Sequence, residues 1–315
     1  MGRKNLITQI VLALVVVGLY VLSGFLCSGS TDADKPLTPD NPTNNSAKQT
    51  SQGNSDFSEN DEQYKYVFSR LEAQDADPDK TCPRDKYSLP LPETERSESF
   101  KALVAPVTEK QSWKDFNDTV FIGDSVTLGL QKFVTEKRQA ETDYFGNAKF
   151  ISVGSYGAAT AVAPAGEESI HRYFNGVRTP PQDICSSYGA KKVYICLGLN
   201  DVGQFSVDEY IANYKILVEN LRKAIPDVKI AIQSITPITL YGEKQVLYNA
   251  KIDEYNENLA AFAKEANCAF LDIADVLKDS NGYLATSLSS DDYCHLMPEA
   301  YERWVDYLLY HGVKQ

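Results

Sequence analysis

Two hydrophobic patterns alternate along the chain from about Trp113 to its end. Short, nearly continuous apolar runs are separated by longer segments in which apolar residues recur every three or four positions, as in amphipathic helices. The short runs predict strands at residues 119–123, 149–154, 191–198, 229–237 and 268–274. The longer segments predict helices at 206–225, at 248–266 and from Pro298 to a stop at Gly312.

Apolar strands separated by helices are typical of a parallel sheet that is covered on both faces. The predicted fold class is therefore α/β: three layers, α/β/α, around a five-stranded parallel sheet in a flavodoxin-like arrangement. In such sheets, ligands bind beyond the carboxyl ends of the strands, at the topological switch point. Reactive side chains are therefore expected in the loops that follow the strands.

The first 27 residues show a third pattern. Two basic residues precede an apolar stretch from Leu6 to Leu26, which is long enough to cross a bilayer. Because basic flanks remain in the cytoplasm, residues 1–27 are predicted to be an uncleaved single-pass membrane anchor that exports the rest of the chain. A cleaved signal peptide and a lipoprotein anchor at Cys27 are the alternatives.

Composition divides the rest of the chain into three parts. Residues 28–60 are rich in Ser, Thr, Asn, Asp and Pro and predict a disordered linker. Residues 61–112 are mixed, and predict a partly ordered segment that either packs on the following domain or spaces it from the membrane. Residues 113–315 form the predicted α/β domain.

Charge and motif content exclude several functions. The formal net charge of −12 argues against a nucleic acid partner, because phosphate binding requires clustered Lys and Arg. None of the six cysteines forms a C-x-x-C pair, which argues against a thiolate metal site. The sequence also lacks G-x-x-x-x-G-K-[ST], H-E-x-x-H and the G-x-S-x-G elbow.

Four polar motifs follow predicted strands and are expected at one edge of the sheet. "FIGDS" places Ser125 after the first strand, and "GSYGAAT" follows the second. "GLND" places Asn200 after the third strand, and "DDYCH" ends at His295 after the fifth. In this order, the motifs resemble the four blocks of the SGNH, or GDSL-type, serine hydrolase superfamily. The resemblance covers residues 115–312 and implies the fold and the serine esterase chemistry of that superfamily.

The predicted catalytic residues are Ser125, His295 and Asp292. A serine hydroxyl needs a base to take its proton, and histidine is suited to that task near neutral pH. His295 is the histidine with a nearby aspartate that can orient it, Asp292, with Asp291 as the alternative. His171 and the other histidine, His311, are interpreted as surface or helix-end residues.

The predicted oxyanion hole consists of the backbone N–H groups of Ser125 and Gly157 and the side-chain amide of Asn200. Gly154 is the alternative to Gly157, which is preferred because the superfamily's glycine is followed shortly by a threonine. Asp124 and Asp201 are interpreted as structural carboxylates.

The resemblance implies a serine esterase that needs no metal or organic cofactor, and the predicted anchor places it outside the cytoplasm. Members that face the bacterial envelope often remove acetyl groups from polysaccharides, so the expected substrate is an O-acetyl ester on a small molecule or an envelope polysaccharide. The alternatives are a lysophospholipase or thioesterase, and a non-catalytic cell-surface binding protein. The oligomeric state has no signature in the sequence.

Overall fold

The computed structural model describes residues 86–313. The predicted anchor at 1–27, the linker at 28–60 and the first part of the 61–112 segment lie outside the described residues. Among residues 86–313, no helix combines the length and the hydropathy that crossing a bilayer would require.

The central sheet confirms the predicted fold class. In the described residues the strands are β1 (Thr119–Gly123), β2 (Lys149–Ser152), β3 (Tyr173–Phe174), β4 (Val177–Arg178), β5 (Lys192–Cys196), β6 (Lys229–Gln233) and β7 (Ala269–Leu271). Five of them form one parallel sheet in the order β2-β1-β5-β6-β7, and β3 and β4 form a separate antiparallel hairpin. The order of the five is that of flavodoxin-like sheets, whose switch point lies between the first and third sheet strands, here β1 and β5.

Helices connect these strands and cover the sheet. They are α1 (Glu98–Lys101), α2 (Ser125–Ala140), α3 (Ala158–Ala161), α4 (Pro181–Ser187), α5 (Val207–Ala224), α6 (Asn249–Glu265) and α7 (Pro298–Tyr310). The predicted helices at 206–225 and 248–266 match α5 and α6 to within one residue at each end. A capping box explains the start of α5, since Ser206 and Glu209 each accept a hydrogen bond from the other's backbone N–H.

The hydrophobic core has two parts, one on each face of the sheet. In β1, Val120 and Ile122 point to the side of α5 and α6, whereas Phe121 points to the side of α2 and α7. Val193 and Tyr194 of β5 divide in the same way. Alternate side chains of a strand point to opposite faces, so a strand between two helical layers must be apolar at every position.

The strand register brings three loops to one edge of the sheet. Gly123, the last residue of β1, pairs with Ser152 of β2 and with Cys196 of β5. The chain therefore leaves all three strands at the same level. The residues that follow, including Ser125 and Asn200, emerge side by side.

Residues 96–105 pack against β7, which is an edge strand of the sheet. Phe100 is buried in the core, with its ring 5.7 Å from that of Phe270 in an edge-to-face arrangement. The Ala105 N–H donates to the Phe270 carbonyl over 2.8 Å. This part of the 61–112 segment thus covers the polar backbone of an edge strand that would otherwise be open to another chain.

A buried ion cluster fastens the same segment. Arg96 Nη1 lies 2.8 Å from Asp253 Oδ1, and Arg96 Nε lies 3.2 Å from Asp272 Oδ2. Lys278 Nζ adds a second cation, 2.6 Å from Asp253 Oδ1. Two cations and two carboxylates balance, and burial of the two aspartates leaves little water to replace a missing partner.

Arg96→Ala is expected to lower the free energy of unfolding by about 3 to 5 kcal/mol, because it leaves Asp272 buried without its cation. The matched control is Lys101→Ala, which removes an exposed ion pair with Glu98 and should cost far less, because water solvates both charges. Urea unfolding of both variants measures the difference. Equal losses would show that the cluster does not fasten the segment.

Candidate active site

Ser125 lies at the sheet edge because a tight turn joins β1 to α2. Gly123 closes the strand, and a Cβ there would collide with the Thr127 side chain. Asp124 is the N-cap of α2, and its Oδ1 accepts the Val126 N–H over 2.9 Å. Ser125 is therefore held at the first turn of a helix, beside the carboxyl ends of β1 and β5.

Ser125, His295 and Asp291 form a chain of hydrogen bonds. His295 Nε2 lies 3.0 Å from Ser125 Oγ, and His295 Nδ1 lies 2.6 Å from Asp291 Oδ2. The carboxylate accepts, so Nδ1 carries a proton and Nε2 is free to take the serine proton in the neutral imidazole. This is the order of contacts found in serine hydrolases: nucleophile, base and orienting carboxylate.

The carboxylate that contacts His295 Nδ1 is that of Asp291, whereas the sequence-based prediction was Asp292. Asp291 Oδ1 accepts the backbone N–H groups of Tyr293, Cys294 and His295, at 2.9 to 3.1 Å. This turn places the other oxygen, Oδ2, on the imidazole. Asp292 instead adopts a left-handed backbone conformation, with φ of 55°, and its side chain is exposed. The carboxylate that hydrogen-bonds His295 Nδ1 is therefore that of Asp291, where the sequence predicted Asp292.

The electrostatics suit a base that works near neutral pH. The hydrogen bond that His295 donates to Asp291 raises the pKa of His295 above its ordinary value of 6.5, while partial burial acts in the opposite direction. Burial alone would raise the pKa of Asp291, but the hydrogen bond from His295 and the backbone N–H groups bring it below the usual range. Asp291 is therefore ionised whenever His295 must hold a proton.

The acid limb of the pH–activity profile is expected to have its midpoint above pH 6.5. His295 must be neutral to accept a proton, so kcat/KM should fall as the pH drops through its raised pKa. In Asp291→Asn, the midpoint of the residual activity should move to lower pH. Burial raises the pKa of Asp124 to about 6, so Asp124 titrates in a similar pH range. The shift in Asp291→Asn identifies the contribution of His295 to the midpoint. An unshifted midpoint in Asp291→Asn would contradict the pairing.

The same ionisation affects stability. The pKa of His295 is higher in the folded protein than in the unfolded chain, so its protonated form stabilises the folded state. That contribution is fully present below the unfolded pKa and is lost as the pH rises through the folded one. The active, neutral form of His295 is thus the less stabilised one.

A small cavity of about 270 Å³ opens in front of the Ser125 hydroxyl. It is lined by residues that follow β1, β2, β5 and β7, namely Asp124, Ser125, Gly154, Ser155, Leu199, Asn200, Tyr293, Cys294 and His295. The cavity therefore lies at the switch point of the sheet, where the fold predicts a ligand.

Gly154, and not the predicted Gly157, lines this cavity. The Gly157 N–H donates to Thr160 Oγ1 over 2.8 Å, as the N-cap of the short helix α3. A Cβ at Gly157 would lie 2.6 Å from Asp201 Oδ2, so this glycine is needed for close packing. The glycine–threonine spacing that favoured Gly157 marks a helix cap. Gly154 is the glycine of this loop that lines the cavity.

Asn200 lies beside Ser125, as its motif predicts. Its side-chain nitrogen donates to the Tyr156 carbonyl over 3.0 Å and makes a long contact of 3.4 Å with Asp124 Oδ2. The hydrogen in the long contact is the weaker bound of the two. It is the one that an oxyanion in the cavity would recruit. Asp201, next along the chain, accepts the N–H groups of Ala158 and Ala159 and is structural, as expected.

Asn200→Ala is expected to lower kcat by about 10² to 10³-fold with little change in KM, because an oxyanion donor acts mainly on the transition state. Asn258→Ala is the matched control, since this exposed asparagine on α6 bonds only its own helix among the contacts described. Steady-state hydrolysis of p-nitrophenyl acetate measures both. A fall in Asn200→Ala through KM alone would remove Asn200 from the oxyanion hole.

The thiol of Cys294 is not suited to replace Ser125 as nucleophile. Cys294 Sγ lies 4.0 Å from His295 Nδ1, the nitrogen that Asp291 already occupies. Burial also raises the pKa of this thiol far above its ordinary value. A protonated thiol is a weak nucleophile, so the serine remains the reactive group.

Residues 121–303, more than half of the chain, match the model of the GDSL-like lipase/acylhydrolase family. The chain belongs to this family. It is accordingly a carboxylic ester hydrolase. No curated protein matches the chain.

Several solved structures resemble this GDSL-like acylhydrolase in fold. A GDSL-like lipase from Bacteroides thetaiotaomicron is 19% identical, with a TM-score of 0.43, covering 65% of this chain and 89% of its own. An acetyl xylan esterase is 16% identical, with a TM-score of 0.45, covering 60% of this chain and 95% of its own. A family 3 carbohydrate esterase from Talaromyces cellulolyticus is 17% identical, with a TM-score of 0.41, covering 60% and 93%.

Proposed function

We propose that this acylhydrolase is an extracytoplasmic serine esterase that removes short acyl groups, acetyl above all, from carbohydrates. The observation that carries the proposal is the hydrogen-bonded chain from Ser125 through His295 to Asp291 at the mouth of the cavity. The specific substrate and the cellular location are parts of the proposal.

The geometry supports a two-step mechanism. Ser125 Oγ attacks the ester carbonyl while His295 Nε2 takes its proton, and Asp291 stabilises the imidazolium that forms. The negative charge on the carbonyl oxygen is met by the Ser125 and Gly154 N–H groups and the Asn200 amide. His295 then gives its proton to the leaving alcohol, and water releases the acyl group from Ser125 by the same steps in reverse.

The size of the cavity supports a short acyl group. About 270 Å³ is below the usual range of small-molecule pockets, and the carbonyl region takes part of it. Leu199 is the aliphatic side chain among the lining residues, whereas a long acyl chain needs an extended apolar channel. An acetyl group fits this space, and the sugar to which it is esterified would extend toward solvent.

The sequence supports a location outside the cytoplasm. Two basic residues followed by the apolar stretch from Leu6 to Leu26 favour an anchor that exports the domain, and acidic net charge is compatible with an uncharged carbohydrate substrate. An exported esterase meets envelope polysaccharides, which the superfamily resemblance also favours.

The chain length of the acyl group separates this proposal from its main alternative. Purified full-length protein should hydrolyse p-nitrophenyl acetate with a higher kcat/KM than p-nitrophenyl octanoate, and should release acetate from acetylated envelope polysaccharides. A preference for octanoate, or for lysophospholipids over acetylated polymers, would identify a lipid acylhydrolase instead. Hydrolysis of none of these esters would favour a binding protein.

A further inference from the structure

His171 is fully buried, although its sequence context predicted a surface or helix-end residue. Its Nε2 lies 2.8 Å from the Ala163 carbonyl, and its Nδ1 lies 2.8 Å from the Tyr156 hydroxyl. A carbonyl only accepts, so Nε2 carries the proton and Nδ1 accepts the hydrogen bond from Tyr156. A buried histidine with both nitrogens bonded has a fixed orientation.

Tyr156 connects this histidine to the active site. Its ring is fully buried, and its backbone carbonyl accepts the 3.0 Å hydrogen bond from the Asn200 amide. Its N–H donates to the Val153 carbonyl and closes the turn that carries Gly154 and Ser155. One residue thus orients the Asn200 side chain and ends the turn that lines the cavity.

The turn needs such an anchor, because one of its residues is strained. Ser155 has φ of 58°, in the left-handed region that is unfavourable for a residue other than glycine. Strained residues persist where the surrounding structure fixes them on both sides. Val153 is fixed through its N–H to the Gly123 carbonyl, and Tyr156 is fixed through His171.

We propose that Tyr156 and His171 are positioning residues for the oxyanion hole. The hydroxyl–imidazole bond holds Tyr156, which holds the Gly154–Ser155 turn and the Asn200 amide in their places around the reacting carbonyl. The proposal rests on the esterase function proposed above. Neither residue lines the cavity, so neither touches substrate.

The test is the kinetics of Tyr156→Phe, which removes the hydroxyl and keeps the ring. On p-nitrophenyl acetate, the kcat of the full-length protein should fall about 10 to 10²-fold, with KM within about twofold of wild type, because misplacement of the oxyanion donors raises the barrier without altering ground-state binding. The acid-limb midpoint should not move, because Ser125, His295 and Asp291 keep their contacts.

Two variants of His171 test whether a side chain that accepts the Tyr156 hydrogen bond restores kcat. His171→Leu should lower kcat as Tyr156→Phe does, whereas His171→Asn should restore most of it, since its side-chain oxygen can accept from Tyr156 near the place of Nδ1. The matched control is Tyr307→Phe, which removes a hydroxyl bonded to the Asp272 N–H on another part of the domain. Tyr307→Phe should lower the thermal midpoint and leave kcat near that of wild type.

Three outcomes would overturn the inference: wild-type kcat in Tyr156→Phe, an equal loss in Tyr307→Phe, or a shifted acid-limb midpoint. If His171→Leu does not fold, Tyr156→Phe still decides. Full activity in Tyr156→Phe beside an inactive Ser125→Ala would overturn the positioning role alone. Equal rates for wild type and Ser125→Ala would overturn the esterase function together with it.

Discussion

Replacing Ser125 by alanine is expected to lower kcat for p-nitrophenyl acetate by roughly 10⁴-fold or more, to the level left by binding and the oxyanion hole alone. The physical reason is that no acyl-enzyme can form without the hydroxyl 3.0 Å from His295 Nε2. KM should change little, because the cavity loses one oxygen atom only. Initial rates over a range of substrate concentrations measure both constants.

Ser187→Ala is the matched control for this variant. Ser187 lies at the end of α4, where its hydroxyl bonds the Asp183 carbonyl on the protein surface. It should keep wild-type kinetics, and both variants should keep the wild-type thermal midpoint to within a few degrees. A Ser125→Ala protein that is folded and retains a tenth of wild-type kcat would contradict the role of Ser125 as nucleophile.

Asp291→Asn is expected to lower kcat by roughly 10² to 10⁴-fold. Three backbone N–H groups surround one oxygen of Asp291 and would hold the oxygen of the new amide. The amide NH₂ would then face His295 Nδ1 and force that nitrogen to accept. The imidazole proton would move to Nε2, pointing at Ser125, and the histidine could no longer take the serine proton.

The adjacent residue provides the control. Asp292→Asn should keep kcat within about twofold of wild type, because Asp291 is the carboxylate bonded to His295 Nδ1 and asparagine tolerates the exposed, left-handed position of Asp292. Kinetics of the two variants, measured side by side, distinguish the two carboxylates. A large loss in Asp292→Asn with an active Asp291→Asn would reverse the assignment.

The sheet and its reactive edge could be predicted because both follow from short-range patterns. Residues 120–122 and 193–197 are apolar at consecutive positions, as expected of strands between two helical layers. Once the strands are placed, chain order puts Ser125 and Asn200 at their carboxyl ends. The pairing of Ser125 with His295 then required only that the last motif follow the last strand.

Choices between neighbouring residues could not be made from sequence, because they depend on local backbone conformation. Asp291 and Asp292 are chemically identical. What separates them is a turn in which one carboxylate accepts three backbone N–H groups and the other belongs to a residue with a left-handed backbone. Gly154 and Gly157 differ in the same way, since a threonine hydroxyl occupies the N–H of the second.

His171 was missed for a different reason. Its partners are a backbone carbonyl and a tyrosine hydroxyl, and neither leaves a charged or spaced motif in the sequence. A histidine followed by "RYF" resembles a surface segment, and its burial comes from the packing of the 163–180 region on the loop after β2. The available signal was weak: Tyr156 lies in the middle of the second motif.

The most direct test of the account is the site at which a serine-reactive fluorophosphonate attaches. Intact-mass and peptide mass spectrometry of the labelled full-length protein should show one adduct, on Ser125, with no adduct in Ser125→Ala and slow labelling in Asp291→Asn. An adduct on another residue, or undiminished labelling of Ser125→Ala, would contradict the claim that Ser125, His295 and Asp291 form the catalytic centre.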